Sequence, residues 1–282
     1  MRKRLMSSLV AAIAITTLFA VVPFAQAGQN GTDTISIKFA ADEPTGMGGS
    51  MLAPTDVTGA VPSANWNNTT TNAGLATNLL EDVNGVATAS SAQVVWYASN
   101  TWASTGKGQE NNNFKGADHT LMSGYLDMNT APPPTLFGTT VIQVSNLPPS
   151  FSGTYDVYIY ALGGFPGCGG VYEVNGSQSR TNLSLCPACN YQYYVASGTQ
   201  DATKPGTQGL HSGPEFVQSF GDDSTYGANG STDDFGNYMA FTGLTGPTIS
   251  ITAVSQMMPQ GTGYSNNGYP RAPINGIQLV VE

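Results

Sequence analysis

Tyr155-Asp156-Val157-Tyr158-Ile159-Tyr160 alternates aromatic or β-branched residues along an uninterrupted run. A repeat of two turns successive side chains to opposite faces, so the run reads as a strand with one buried and one wet face. Similar runs, each bounded by Gly, Pro, Asn or Asp, lie on either side of it. Thr34 to Phe39, Gln93 to Tyr97, Thr140 to Val144 and Val171 to Val174 are four of them. Tyr191 to Val195, Tyr238 to Phe241, Thr248 to Val254 and Ile277 to Val281 continue the series. Short β-rich segments with turn residues between them predict an all-β chain, an antiparallel sandwich rather than a propeller or solenoid. The intervening stretches 41–75, 99–117, 197–213 and 221–236 read as long loops, the usual carriers of function.

Composition agrees. The 282 residues include 34 Gly and 17 Pro, with only 10% charged side chains, so the straight-chain residues that coat helices are scarce. The formal charge is -9, and all three basic residues near the start (Arg2, Lys3, Arg4) precede an apolar stretch from Leu9 to Val22. Pro23 and the small-residue end Ala25-Gln26-Ala27 then complete a secretory signal pattern over residues 1–27. The expected product is one β-sandwich domain, residues 28–282, exported to the periplasm or the exterior, with no membrane span after cleavage. Its acidic balance excludes nucleic acid as a partner.

The cysteines Cys168, Cys186 and Cys189 all fall in the exported part, where thiols oxidise. The expectation is a structural disulfide from Cys168 to Cys186 or Cys189, leaving one sulfur over. The Cys186-Pro187-Ala188-Cys189 spacing also occurs in redox pairs and zinc sites. Its flanks, however, read as loop and strand rather than an activating helix, and the chain has only His119 and His211 to complete a zinc shell.

Five stretches in order carry a resemblance: Trp66-Asn67-Asn68, Leu121 to Asp127, Tyr155 to Tyr160, Asn237 to Gly246, and Arg271 to Leu279 with its Asn275-Gly276-Ile277-Gln278 strand. Together they resemble secreted bacterial jelly-roll modules of the galactose-binding-like type over most of residues 34–282. The resemblance implies a jelly-roll sandwich that binds glycans or packs beside a catalytic domain. The chain departs from that pattern in its cysteine-bearing insertion, 167–190, and in lacking a recognisable companion enzyme domain. Read physically, Asn275-Gly276 is a tight turn aiming Ile277, Leu279 and Val281 inward, and Arg271 pairs with Asp127 or Asp118.

A sugar site needs an aromatic platform for the C–H face of the ring and planar polar groups for its hydroxyls. Trp102, set in a loop-like context, is the foremost candidate, followed by Trp66, Trp96 and Tyr97, with Tyr264 and Tyr269 as a second wall. Asp222, Asp223, Asp233 and Asp234 bracket a segment able to wrap a structural calcium ion, though not with EF-hand spacing. No cofactor is required. Predicted cleavage exposes Gly28, not the histidine that a copper brace needs, and no Gly-x-Ser-x-Gly elbow occurs. A glycoside hydrolase using two of Glu43, Glu81, Glu110, Glu173 and Glu215 is one alternative, and Asp118-His119 is a candidate acid–base pair. The sequence therefore predicts a monomeric, non-catalytic protein recognising a polysaccharide or cell-surface glycan. A structural or adhesive envelope protein is the other alternative.

Overall fold

The computed structural model describes residues 32–41, 49–105, 110–128, 138–163, 170–175, 193–197, 215–216, 218, 235–255 and 272–282. Its strands are β1 (Thr34–Lys38), β2 (Asn67–Asn68), β3 (Ala73–Thr77), β4 (Leu80–Val83), β5 (Val86–Ala89), β6 (Gln93–Tyr97) and β7 (Asn100–Ala103). After helix α1 (Gly116–Ser123) come β8 (Gly124–Asp127), β9 (Thr139–Ser145), β10 (Tyr155–Tyr160), β11 (Gly170–Asn175) and β12 (Tyr193–Ser197). The last four are β13 (Phe235–Gly236), β14 (Tyr238–Leu244), β15 (Ile249–Ser255) and β16 (Gly276–Val281). All nine strands read from the sequence are present. The expected loops 41–75 and 99–117 also hold β2, the start of β3, β7 and the first residues of α1.

The chain is all-β. One sheet runs β14-β10-β16-β1-β4-β5 with β2 added beside β1, and the other runs β13-β12-β11-β15-β9-β6-β3. Pairing is antiparallel except at the short β1–β2 and β12–β13 contacts. The two sheets share one apolar core. Ile35, Ile37, Val157, Ile159, Ile277 and Leu279 from the first sheet meet Val94, Ile142, Val144, Ile249 and Ile251 from the second. Every one of these is buried, and truncating one of the isoleucines or Leu279 to alanine costs about 2–5 kcal/mol through lost transfer energy and the cavity left behind.

Alternation predicts a wet outer face for the first sheet, and there the structure differs. All five residues of β1 and the first five of β16 are buried. A second apolar cluster, with Leu52, Trp66, Phe114, Leu121, Met122, Tyr160 and Leu162, lies on that outer face. It is supplied by the segments around Leu52 to Trp66, which read as loop, and by α1, of which only the first residues fall in an expected loop. Trp66 packs edge-on against Tyr160 at a ring separation of 5.9 Å, and Phe216 meets Tyr160 at 5.3 Å.

The outer-face polar side chains are tied down by hydrogen bonds. The Gln278 amide nitrogen lies 2.8 Å from both the Val61 carbonyl and the Ser63 hydroxyl, and 3.2 Å from the Ser36 hydroxyl. Its Oε1 accepts from the Tyr160 hydroxyl at 2.9 Å, and that hydroxyl accepts the Ala60 N–H at 2.8 Å. Gly59, at φ 104°, passes so close that a Cβ there would sit 2.9 Å from the Tyr160 oxygen.

Asn275-Gly276 is not a turn, which corrects the sequence reading. Asn275 is fully buried, donates to the Met122 and Gly124 carbonyls and accepts the Leu162 N–H at 2.7 Å. Gly276 already belongs to β16, opposite Lys38, where a Cβ would lie 2.8 Å from the Ile37 carbonyl oxygen. Close packing, rather than a reversal, requires glycine there. The inward aim of Ile277 and Leu279 holds.

The leader 1–27, the three cysteines, the aspartates at 222, 223, 233 and 234, and Tyr264, Tyr269 and Arg271 lie outside the described residues. No helix among the described residues is long and apolar enough to cross a membrane.

The polar network generates a test. Gln278→Ala leaves three buried hydroxyls short of a partner and is expected to lower stability by about 2–4 kcal/mol in chemical denaturation. Tyr160→Phe, which keeps the ring, should lower it by about 1 kcal/mol. Equal and negligible losses in both variants would remove the network from the account.

Candidate functional site

The outer face of the second sheet differs from that of the first. Along β9 the pattern is alternately exposed and buried from Thr139 to Val144, and β3 and β6 repeat it. Registers align Ala73, Tyr97, Val141, Thr252 and Glu173 in one row across five strands, and Leu75, Val95, Gln143 and Ser250 in the next. Directly paired residues project to the same side, so these two rows form one surface. Tyr97 is 58% exposed, with Leu75, Val95 and Val141 exposed around it. Gln143 is exposed, and Thr252 and Glu173 are half-buried in the same rows.

Gly74 and Trp96 show how local sequence builds this surface. Trp96 turns inward, 6% exposed, its ring 6.2 Å from Phe39 and its indole N–H on the Thr71 carbonyl. A Cβ on Gly74, its cross-strand partner, would come within 2.6 Å of the indole. Glycine therefore lets the large ring lie under β3 and leaves Tyr97 on the open side of the same strand.

The aromatics named from sequence separate accordingly. Tyr97 alone among Trp66, Trp96, Trp102 and Tyr97 is fully open. Trp66 is 3% exposed, its N–H on the Ser63 carbonyl, so it belongs to the second cluster and offers no platform. Trp102 does not sit in a loop: it is in β7 opposite Tyr125 of β8, half-buried, because the Asn100 to Ala103 stretch pairs with Gly124 to Asp127. Sequence reading missed Gln143 and Thr252, whose only signal was their place on the polar side of alternating runs, and named Glu173 only as a candidate catalytic carboxylate.

Asp118 and His119 do not form a dyad. Neighbours on a helix point about 100° apart, and each has its own partner. Asp118 accepts the Thr58 hydroxyl, whereas the His119 Nε2 lies 3.2 Å from the Asn112 amide oxygen. Burial, then Lys115 and Lys38, hold the His119 pKa below its ordinary value. Glu81 is buried and accepts the Ser150 hydroxyl, and burial raises its pKa. Glu173 stands on the outer face of the other sheet, so these two carboxylates do not face one another. Glu215 is exposed. Among the described residues, no three His, Cys, Asp or Glu side chains gather as a metal shell would need.

Lys38 is the unusual ionisable group. It is fully buried, and among the described residues its Nζ donates to the Phe39 carbonyl alone, at 3.4 Å. Burial pulls its pKa from 10.5 down to about 7. No family model, curated protein or solved structure matches the chain.

Between the folded and unfolded pKa values of Lys38 the unfolded chain holds a proton that the folded chain lacks. Stability is therefore expected to rise with pH from about 7 towards 10, on the order of 4 kcal/mol in all. Lys38→Met should raise the thermal midpoint at pH 7 and flatten that slope. A wild-type midpoint independent of pH across this window would contradict the burial of a neutral amine.

Proposed function

We propose that the protein is an exported, non-catalytic carbohydrate-binding protein that recognises a polysaccharide or surface glycan through the open face of its second sheet. The observation that carries this reading is Tyr97, 58% exposed in the row between Ala73 and Val141. A flat aromatic and aliphatic surface suits the C–H face of a sugar ring. Gln143, Thr252 and Glu173 stand in the same rows as hydroxyl partners.

Two further features support the reading. From β9 onward the chain changes sheet at β9 to β10, β10 to β11, β13 to β14, β14 to β15 and β15 to β16, which favours a jelly-roll winding over a simple meander. The Arg-Lys-Arg start, apolar stretch and Ala25-Gln26-Ala27 end of residues 1–27 favour export.

The test is retention on a panel of insoluble polysaccharides, with affinity electrophoresis in soluble ones. At least one glycan should retain the protein, and Tyr97→Ala should weaken retention about tenfold, equivalent to about 1.4 kcal/mol. Trp66→Phe, altered inside the second cluster, should bind as wild type. No retention on any glycan, or undiminished binding by Tyr97→Ala, would overturn the proposal.

A further inference from the structure

The seven strands of the second sheet hold one charged residue between them, Glu173 of β11. None of them carries a lysine or an arginine. The strands of the first sheet carry four charged residues, Lys38, Glu81, Asp82 and Asp156, although the second cluster covers its outer face. The charges of an acidic chain, net -9, are thus almost wholly kept off the strands that build the open face.

The neighbours of Tyr97 show what that does to the site. Ala73 and Val141 flank it in its own row, and Leu75 and Val95 stand in the next. Gln143, Ser250 and Thr252 follow on the β9 and β15 side, offering one amide and two hydroxyls. Glu173 lies three strands from Tyr97 in the same row, roughly 14 Å away at ordinary strand spacing. A sugar ring stacked on Tyr97 therefore does not reach the carboxylate.

Three kinds of ring fare differently there. A uronate or sulfated ring gives up the hydration of its anion against apolar side chains, finds no cation on these strands, and approaches a chain of its own sign. An ammonium sugar gives up its hydration as well, with the sheet's one carboxylate out of pairing range. An uncharged ring gives up only the hydration of its hydroxyls, for which the amide and hydroxyls beside Val141 are substitutes.

We infer, on the glycan reading above, that the Tyr97 face selects uncharged polysaccharides and that neither acidic nor cationic ones are its ligands. Discrimination comes from the missing counter-charge rather than from an added contact.

The test compares retention of the wild-type chain on cellulose, chitin and galactomannan, which are uncharged, with polygalacturonate and alginate, which are acidic, and chitosan, which is cationic. Each is measured at about 0.1 M and about 1 M salt, between which the screening length falls from roughly 10 Å to roughly 3 Å. At least one uncharged polymer should retain the protein with less than about a twofold change between the two salt concentrations, since no ion pair is there to be screened. The charged polymers should bind at least about tenfold more weakly. Retention confined to a charged polymer, equally strong on one, or lost about tenfold or more at high salt would overturn the inference and leave the glycan reading standing. Retention on none of the six would overturn both.

Discussion

The Gln278 carboxamide is the constraint on which the rest of the structure depends. It sits in the centre of the first sheet, on the face that alternation would leave to solvent, and joins β1, β10 and the segment from Gly59 to Ser63 in one network. Burying polar groups on a sheet face is unfavourable unless each finds a partner. Because Ser36, Ser63 and Tyr160 do find theirs, the segment carrying Trp66 can lie flat on the sheet and bring a second apolar cluster with it. Lys38 marks the edge of this solution. It lies in the same covered layer, with one long bond among the described residues, and it answers the burial by giving up its charge near neutral pH.

Covering one sheet leaves the other to meet the outside. The second sheet keeps its alternation, with Ile142, Val144, Ile249 and Ile251 inward and Val95, Tyr97 and Val141 outward. The glycan-binding surface proposed above comes from this asymmetry. A side chain carried by a hydrogen-bonded strand has its backbone fixed before a ligand arrives, which limits the ordering cost of binding.

Much of the fold was legible because the core strands are long, β-branched and bounded by turn residues. β10 and β6 are each plain in their own residues. The hairpin Leu80 to Ala89 was not read from the sequence, although Asn84-Gly85 is a turn signal, because its small residues hide the strands on either side. β7 and β8 were hidden for the same reason, since Asn100-Thr101-Trp102-Ala103 has the composition of a loop and becomes a strand only by pairing. α1 has eight residues and no continuous apolar stripe, so nothing local distinguishes it from a turn. The candidate site was legible as a sugar platform only in Tyr97, and in Glu173 only as a candidate catalytic carboxylate. Which aromatics are buried depends on the cover over the first sheet and on Gly74, and neither is a property of the aromatic's own neighbourhood in sequence.

Amide hydrogen exchange read by mass spectrometry tests most directly whether the first sheet is sealed. If Gln278 locks the cover in place, amides from Thr58 to Trp66 should exchange as slowly as those of β1 and β16, opening only with the whole molecule. Rapid exchange of that segment while β1 and β16 stay protected would mean that the cover is loosely attached and that the first sheet, not only the second, presents an open face.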